Sequence, residues 1–127
     1  MQEPVFLTLA EIFEIHNNQI ELYGGEPGLR ELGLLQSAIA QPEATFGAEW
    51  LHKDLFSMAA AYAFHISQNQ PFVDGNKRTG LASALVFLEM NGIGLDDPGQ
   101  KLLEGMLRLA NGKINKDDFA RILRSLA

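Results

Sequence analysis

The sequence predicts an all-α protein, a compact bundle of about six helices formed by residues 1–127 as a single domain. Apolar side chains recur at helical spacing in four segments, two further segments are apolar almost throughout, and no run shows the strict alternation typical of a strand. A chain of 127 residues with 46% hydrophobic and 20% charged residues has the composition of one globular domain with a single core.

The first 51 residues predict two amphipathic helices and a loop. Residues 9–23 form the first helix, which ends at Gly24-Gly25. Its apolar face comprises Leu9, Ile12, Phe13, His16, Ile20 and Tyr23. A shorter helix covers residues 31–40 and is broken by Pro42. Residues 41–51 lack periodicity and predict a loop or small hairpin that exposes aromatic side chains.

Two strongly apolar segments, residues 54–66 and 81–90, predict the central helices, because a helix that is hydrophobic around most of its circumference must be buried. Asn91-Gly92 suits a left-handed cap at the end of the second. Asp97-Pro98 predicts the start of another helix, which Asn111-Gly112 ends. The face of that helix comprises Leu102, Leu103, Met106, Leu107 and Ala110.

The last helix is predicted to begin after Asn115 as N-cap. Its inward side chains are Phe119, Ile122, Leu123 and Leu126.

Charge and cysteine content exclude several classes of function. The chain has 10 Lys+Arg against 16 Asp+Glu, net -6, which argues against direct nucleic-acid binding and against a helix-turn-helix DNA binder. Its basic residues are concentrated after residue 69, so an anion site is expected in the second half. The absence of cysteine excludes disulfides and thiolate chemistry. Because the sequence has no signal-peptide pattern and no 18-residue apolar run, we expect a cytoplasmic protein without a membrane partner.

Residues 69–80 interrupt the predicted core with polar, charged and glycine residues. Lys77 and Arg78 fall in the first turn of a helix, where a cation faces the positive end of the helix dipole, and a bound anion would reverse that penalty. Gly75 permits close backbone approach, and Asp74 is placed to hold a Mg²⁺ that phosphates bring. This pattern predicts a nucleotide site.

An ordinary interhelical loop is the alternative, with Asp74 as a helix cap and solvated Lys77 and Arg78. A P-loop is excluded, because Leu81 stands where its lysine would follow Gly80. Phe72 is interpreted as a core anchor.

The segment Pro71-Phe72-Val73-Asp74-Gly75-Asn76-Lys77-Arg78-Thr79 resembles the signature of the Fic/Doc family, H-x-F-x-[DE]-[GA]-N-[GK]-R. The lysine at the eighth place of the signature, Lys77, resembles the death-on-curing (Doc) branch, which has lysine there. The resemblance extends over most of the chain. It includes Tyr23-Gly24-Gly25 with Gly28 and Arg30, Leu35, Ala38, Pro42, Thr45-Phe46-Gly47, Phe87-Leu88 and Asn91-Gly92.

The resemblance implies the toxin of a toxin-antitoxin pair, with a six-helix fold and a loop that binds ATP and Mg²⁺. Doc toxins transfer the γ-phosphoryl group to a threonine of elongation factor Tu, which stops translation, whereas Fic proteins with glycine at the eighth place usually transfer AMP. Lys77 therefore favours the kinase, and AMP transfer stays as the alternative. A small antitoxin, whose flexible C-terminal segment folds against the toxin, is the implied partner.

Carried over residue by residue, the resemblance makes Asp74 the metal-associated acid. Gly75, Asn76, Lys77 and Arg78 would contact the phosphates, and Asn76 would also order the loop. The target-docking flap of the family maps to the loop around Phe46, for which a plain loop remains the alternative.

Gln70 is the one departure from the signature, which has histidine as general base at that place. An amide cannot accept a proton near pH 7, and losing a positioned base costs about 10²- to 10⁴-fold in rate. We therefore expect an impaired enzyme. Either the histidine was replaced by an introduced or selected substitution, or the protein is a naturally inactive member of the family. The intact remainder of the loop favours the former.

A non-catalytic protein that binds nucleotide or antitoxin is the rival interpretation. His65 is not expected to replace the missing base, since five residues correspond to about 140° around a helix. We interpret His65 and His16 as buried, hydrogen-bonded core residues. With His52 in a loop, the three histidines form no transition-metal pattern.

Overall fold

The computed structural model describes residues 3–127, and this part of the chain contains six helices and one short hairpin. The helices are α1 (Leu9–Tyr23), α2 (Leu32–Ala40), α3 (Leu55–Asn69), α4 (Asn76–Met90), α5 (Lys101–Ala110) and α6 (Lys116–Ser125). Strands β1 (Thr45–Phe46) and β2 (Glu49–Trp50) pair antiparallel, with Thr45 opposite Trp50. The predicted all-α class and the hairpin are confirmed.

Helix α3 is the centre of the fold and packs against α2, α4, α5 and α6. Its middle is rich in alanine and is fully buried, which allows α4 to approach closely. Gly80 marks the tightest point, because a Cβ atom there would lie 2.8 Å from the carbonyl oxygen of Ala63. The sequence-based expectation that these two helices form the core is confirmed.

Several helix starts are fixed by side-chain caps. Thr8 and Glu11 form a reciprocal capping box at α1, and the Asp54 carboxylate accepts a hydrogen bond from the Ser57 N–H at the start of α3 (2.8 Å). Asn115 caps α6, as predicted. Helix α1 ends at Gly24, as predicted from the glycine pair.

The central helices are longer than the apolar pattern indicates. Helix α3 continues through the polar residues 67–69, and α4 begins at Asn76. Apolar patterning marks only the buried part of a helix, so an end that carries polar side chains escapes it. The loop between the two helices is therefore confined to residues 70–75.

The predicted start of α5 is wrong. The helix begins at Lys101, because Pro98 and Gly99 lie in a turn that precedes it. Asp97 still caps the helix from outside, since its two carboxylate oxygens accept the N–H groups of Lys101 and Leu102, each at 2.7 Å.

The predicted apolar face of α5 is also partly wrong. Met106 and Leu109 are buried, whereas Leu103 and Leu107 are 53% and 45% exposed. Tyr23 likewise lies on the predicted apolar face of α1 but is 67% exposed.

Within residues 3–127, no helix has the length and hydropathy needed to cross a bilayer.

Candidate functional site

The loop between α3 and α4 is anchored by Phe72, whose side chain is 1% exposed. The Asn76 side chain brackets this residue: its Oδ1 accepts the Phe72 N–H and its Nδ2 donates to the Phe72 carbonyl, both at 3.0 Å. Both polar ends of the Asn76 amide are thus used within the loop. Its main-chain N–H, at the start of α4, is the group that it can offer to a ligand.

His16 supports the loop from helix α1. Its ring stacks on Phe72 with the centroids 3.8 Å apart and the planes within 6°. Nε2 lies 2.8 Å from the carbonyl oxygen of Asp74, and because a carbonyl only accepts, this nitrogen carries the proton. The prediction that His16 is buried and hydrogen-bonded is confirmed.

Asp74 is exposed and both of its carboxylate oxygens accept backbone N–H groups. Oδ1 accepts from Gly75 at 2.8 Å, and Oδ2 accepts from Glu26 at 3.2 Å. The Gly75 bond, followed by the Glu26 bond, lowers the pKa of Asp74 below its ordinary value. The side chain is therefore a carboxylate at neutral pH, and the remaining lone pairs face solvent.

The first turn of α4 has neither a side-chain cap nor an acidic residue. Gly75 occupies the N-cap position in the left-handed region (φ 77°). Lys77 is exposed, and no acidic side chain within residues 3–127 pairs with it. Asp74 does not serve as the helix cap, so the predicted ordinary loop with a capping aspartate does not match the structure.

Arg78 is held by the turn that follows α1. Its Nη2 donates to the carbonyl oxygen of Gly24 at 2.9 Å, and its guanidinium lies over the Tyr23 ring, 5.8 Å from the centroid. Gly25 permits the close approach of both side chains, since a Cβ atom there would lie 2.8 Å from Oδ2 of Asp74 and 3.2 Å from Nη2 of Arg78. The turn between α1 and α2 therefore fixes the acid and the arginine together.

A cavity of about 500 Å³ opens in front of the loop between α3 and α4 and the first turn of α4. One wall is polar and the other is apolar. The lining residues are Ser67, Gln70, Val73, Asp74, Gly75, Asn76, Lys77, Arg78, Leu81, Leu103, Met106 and Leu107. The structure thus brings together every predicted loop residue, and it adds an apolar wall from α5.

The donor set fits a nucleotide with Mg²⁺. Amide N–H groups, an ammonium and a guanidinium converge at an uncapped helix N-terminus, which is the arrangement that binds phosphate. Asp74 is the one carboxylate among the lining residues that the structure describes. One carboxylate together with phosphate oxygens is a usual ligand set for Mg²⁺.

Phe46 and His65 lie outside this cavity. Phe46 is 83% exposed on β1. His65 is only partly buried, which corrects the expectation of a buried residue, and its Nε2 lies 3.1 Å from Nζ of Lys116 on α6. Burial, followed by the charges of Lys116 and His52, lowers the pKa of His65 to about 4.

Sequence reasoning assigned no role at the loop to Glu26, His16 or Arg30. Glu26 and His16 contact Asp74 as described above, and Arg30 donates to the carbonyl oxygens of Asn69 and Gln70. One signal was available, because Arg30 is one of only two basic residues before position 70. An isolated arginine in an acidic stretch suggests a specific acceptor.

Fold and site together define the class of the protein. It is an all-α domain with a glycine-containing, cationic loop at the start of a central helix. The family model described as Fic/DOC matches residues 6–88. The chain therefore belongs to the Fic/DOC family.

Two curated proteins are similar to the chain. Protein kinase doc of Escherichia phage P1 is 34% identical over 120 residues, which cover 94% of each protein. Toxin Doc of Mycolicibacterium smegmatis is 42% identical over 73 residues, covering 58% of this chain and 56% of the relative.

Proposed function

We propose that this protein is a Doc-type toxin of a toxin-antitoxin pair, derived from an ATP-dependent protein-threonine kinase that acts on elongation factor Tu and impaired by Gln70. One observation carries the proposal: the exposed Lys77 stands in the uncapped first turn of α4 and lines the same cavity as Asp74 and Arg78. The names of both curated relatives support the toxin and kinase assignments.

The phosphates of ATP are proposed to lie against the first turn of α4. The main-chain N–H groups of residues 76–78 and the ammonium of Lys77 would stabilise charge that develops during phosphoryl transfer. Arg78 would add a guanidinium whose position is already set by the Gly24 carbonyl. The catalytic contribution of this loop is positioning and charge stabilisation rather than covalent chemistry.

Asp74 would hold Mg²⁺ through the lone pairs that its two backbone hydrogen bonds leave free. When bound, the metal supplies neutralisation of phosphate charge and orientation of the transferred group. The hydrogen bonds from Gly75 and Glu26 keep the carboxylate ionised and fixed in direction. Asn76 contributes indirectly, by bracketing Phe72.

Gln70 occupies the place where the family has its general base. Gln70 lines the cavity, but its primary amide cannot take the proton of an acceptor hydroxyl near pH 7. Nucleotide binding and charge stabilisation are retained in this proposal, and proton removal is the step that is lost.

The proposed macromolecular partners are a cognate antitoxin and the protein substrate, met in the cytoplasm. Leu103 and Leu107 leave apolar surface exposed beside the loop, which suits a segment that folds on binding. Phe46 is exposed enough to serve as the docking flap for the substrate.

A transfer assay with ATP labelled at either the γ- or the α-phosphate tests the proposal. The parent chain and Gln70→His are compared with elongation factor Tu as substrate. We expect the histidine variant to transfer the γ-label and not the α-label. Transfer of the α-label would instead establish AMP transfer, for which the family also has members.

A non-catalytic binding protein is the second candidate, and Gln70 is the observation that favours it. It predicts that Gln70→His binds nucleotide but transfers neither label. Gln70→Asn is the matched control for the assay, because it changes the side chain without supplying a base.

A further inference from the structure

The backbone of residue 70 has a left-handed conformation. Gln70 has φ 49° and ψ 56°, although it carries a side chain, and it is the C-cap residue that follows α3. Residues with a side chain rarely adopt these angles. Its own N–H donates to Ile66 at 3.1 Å, so the conformation ends the helix and turns the chain into the loop. Some contact from outside α3 is expected to hold such a residue.

Arg30 supplies that contact. Its Nε donates to the carbonyl oxygen of Gln70 at 2.8 Å, and its Nη2 donates to the carbonyl oxygen of Asn69 at 3.0 Å. Asn69 is the last residue of α3 and Gln70 is its C-cap, where carbonyl groups lack partners within the helix. The planar guanidinium holds two donors in fixed geometry, so it sets the relative direction of two successive carbonyl groups.

The main chain around Arg30 is itself fixed against the loop. The N–H groups of Arg30 and Glu31 both donate to the Pro71 carbonyl, at 2.7 and 3.0 Å, and the Val73 N–H donates to Gly28 at 3.1 Å. Leu29 and Phe72 form an isolated antiparallel bridge. The guanidinium is therefore anchored to the same loop whose first residue it holds.

We propose that Arg30 is a positioning residue for residue 70: through the carbonyl groups of Asn69 and Gln70 it sets the backbone angles that direct side chain 70 into the cavity. Arg30 does not line the cavity, so it acts through the main chain and not on the nucleotide. That the side chain at 70 has a role in transfer rests on the function proposed above. The positioning itself does not, and it is measurable in the parent chain.

The first test measures the backbone angle at Gln70 by NMR, from the HN–Hα coupling and the Cα and Cβ shifts. The parent is compared with Arg30→Met, which keeps the length of the side chain but removes both donors. Arg121→Met is the control, because Arg121 is an exposed arginine that pairs with Asp118 on its own helix. We expect residue 70 to leave the left-handed region only in Arg30→Met. If it keeps left-handed values in that variant, Arg30 is not a positioning residue.

The second test uses the Gln70→His chain and separates kcat from KM for ATP. Arg30→Met is expected to lower kcat about 10-fold or more, since small displacements of a catalytic group cost rate steeply, while KM changes little. Arg30→Lys can reach one carbonyl but lacks the planar fork. Its kcat should lie between that of the Gln70→His chain and that of the same chain with Arg30→Met. A rise in KM with kcat unchanged would contradict the assignment.

The two proposals can fail separately. If Gln70→His shows no transfer at all, the proposed kinase fails, and the NMR comparison alone then decides the role of Arg30. If transfer is restored but is unaffected by Arg30→Met, the kinase stands and the positioning role is refuted.

Discussion

Helices α4 and α6 each carry a lysine in their first turn, and the two N-termini are stabilised in different ways. Helix α6 begins with a full capping box between Asn115 and Asp118, and Lys116 lies beside the imidazoles of His65 and His52, at 3.1 and 3.5 Å. Helix α4 has a glycine at its N-cap, no acidic residue in its first turn and an exposed Lys77.

Under the proposed function, the terminus of α6 serves stability and the terminus of α4 serves binding. At α6 the Asp118 N–H is capped by Asn115, and the Lys116 ammonium has partners within the protein. At α4 no side chain caps the helix and no acidic side chain within residues 3–127 pairs with Lys77; in the proposed function these groups receive the phosphates, at a small cost in stability. Substitutions at the two ends should therefore have separable effects on activity, stability and affinity.

The largest effect is expected at the loop that precedes α4. Gln70→His should raise the rate of transfer by about 10²-fold or more, because the missing step is proton removal and the remaining groups are in place. In cells without antitoxin, the variant should arrest growth, whereas Gln70→Asn should be tolerated. Equal tolerance of both variants at equal soluble expression would favour the non-catalytic binding protein.

Removing the cap of α6 should affect stability alone. Asn115→Ala deletes the acceptor for the Asp118 N–H (2.8 Å), and it should lower the free energy of unfolding by about 1 kcal/mol in a urea titration. Asn115→Ser retains a capping oxygen and is the matched control. Affinity for Mg-ATP should be the same in all three chains, and a loss in Asn115→Ala would show that the two termini are not independent.

The histidines beside Lys116 should make stability depend on pH. The unfolded chain protonates His65 near its ordinary pKa of 6.5, whereas the folded protein keeps it neutral down to about 4. Because the unfolded state binds more protons between these values, the free energy of unfolding should fall as the pH drops from about 6.5 to about 4. His65→Gln should give a shallower decline of Tm across this range, and an unchanged slope would contradict the low pKa.

The smallest effect is expected from Lys77→Ala on the unliganded protein. Removing a cation from the first turn of α4 should raise the free energy of unfolding by a few tenths of a kcal/mol at low salt. Lys113→Ala, in the exposed turn before α6, is the control and should leave stability unchanged. Destabilisation by Lys77→Ala would mean that the lysine serves the fold.

Local signals made most of the fold predictable. Helix α1 has the predicted bounds because its apolar spacing and Gly24 act within one segment. The start of α5 was mispredicted because Asp97 caps the helix from four residues upstream, across a proline-glycine turn. The buried face of α5 was mispredicted because tertiary packing, and not helical spacing, leaves Leu103 and Leu107 on the cavity wall.

The loop residues could be found from the sequence because their charges and glycines stand next to one another. The residues that support them could not be assigned, since His16 lies 58 positions from Asp74 and Arg30 lies 40 positions from Gln70. Such contacts follow from the packing of α1 and α2 against the central helices. No spacing rule within a segment reports them.

Calorimetric titration with Mg-ATP tests most directly whether the α4 N-terminus is a phosphate site. The parent chain, Lys77→Ala, Arg78→Ala and the control Lys113→Ala are compared at one ionic strength. We expect the parent and Lys113→Ala to bind equally, and the two loop variants to bind about 10-fold more weakly or worse, as is typical when a hydrogen bond to a charged group is lost. Absence of binding to the parent at millimolar Mg-ATP, or equal affinity in all four chains, would contradict the assignment.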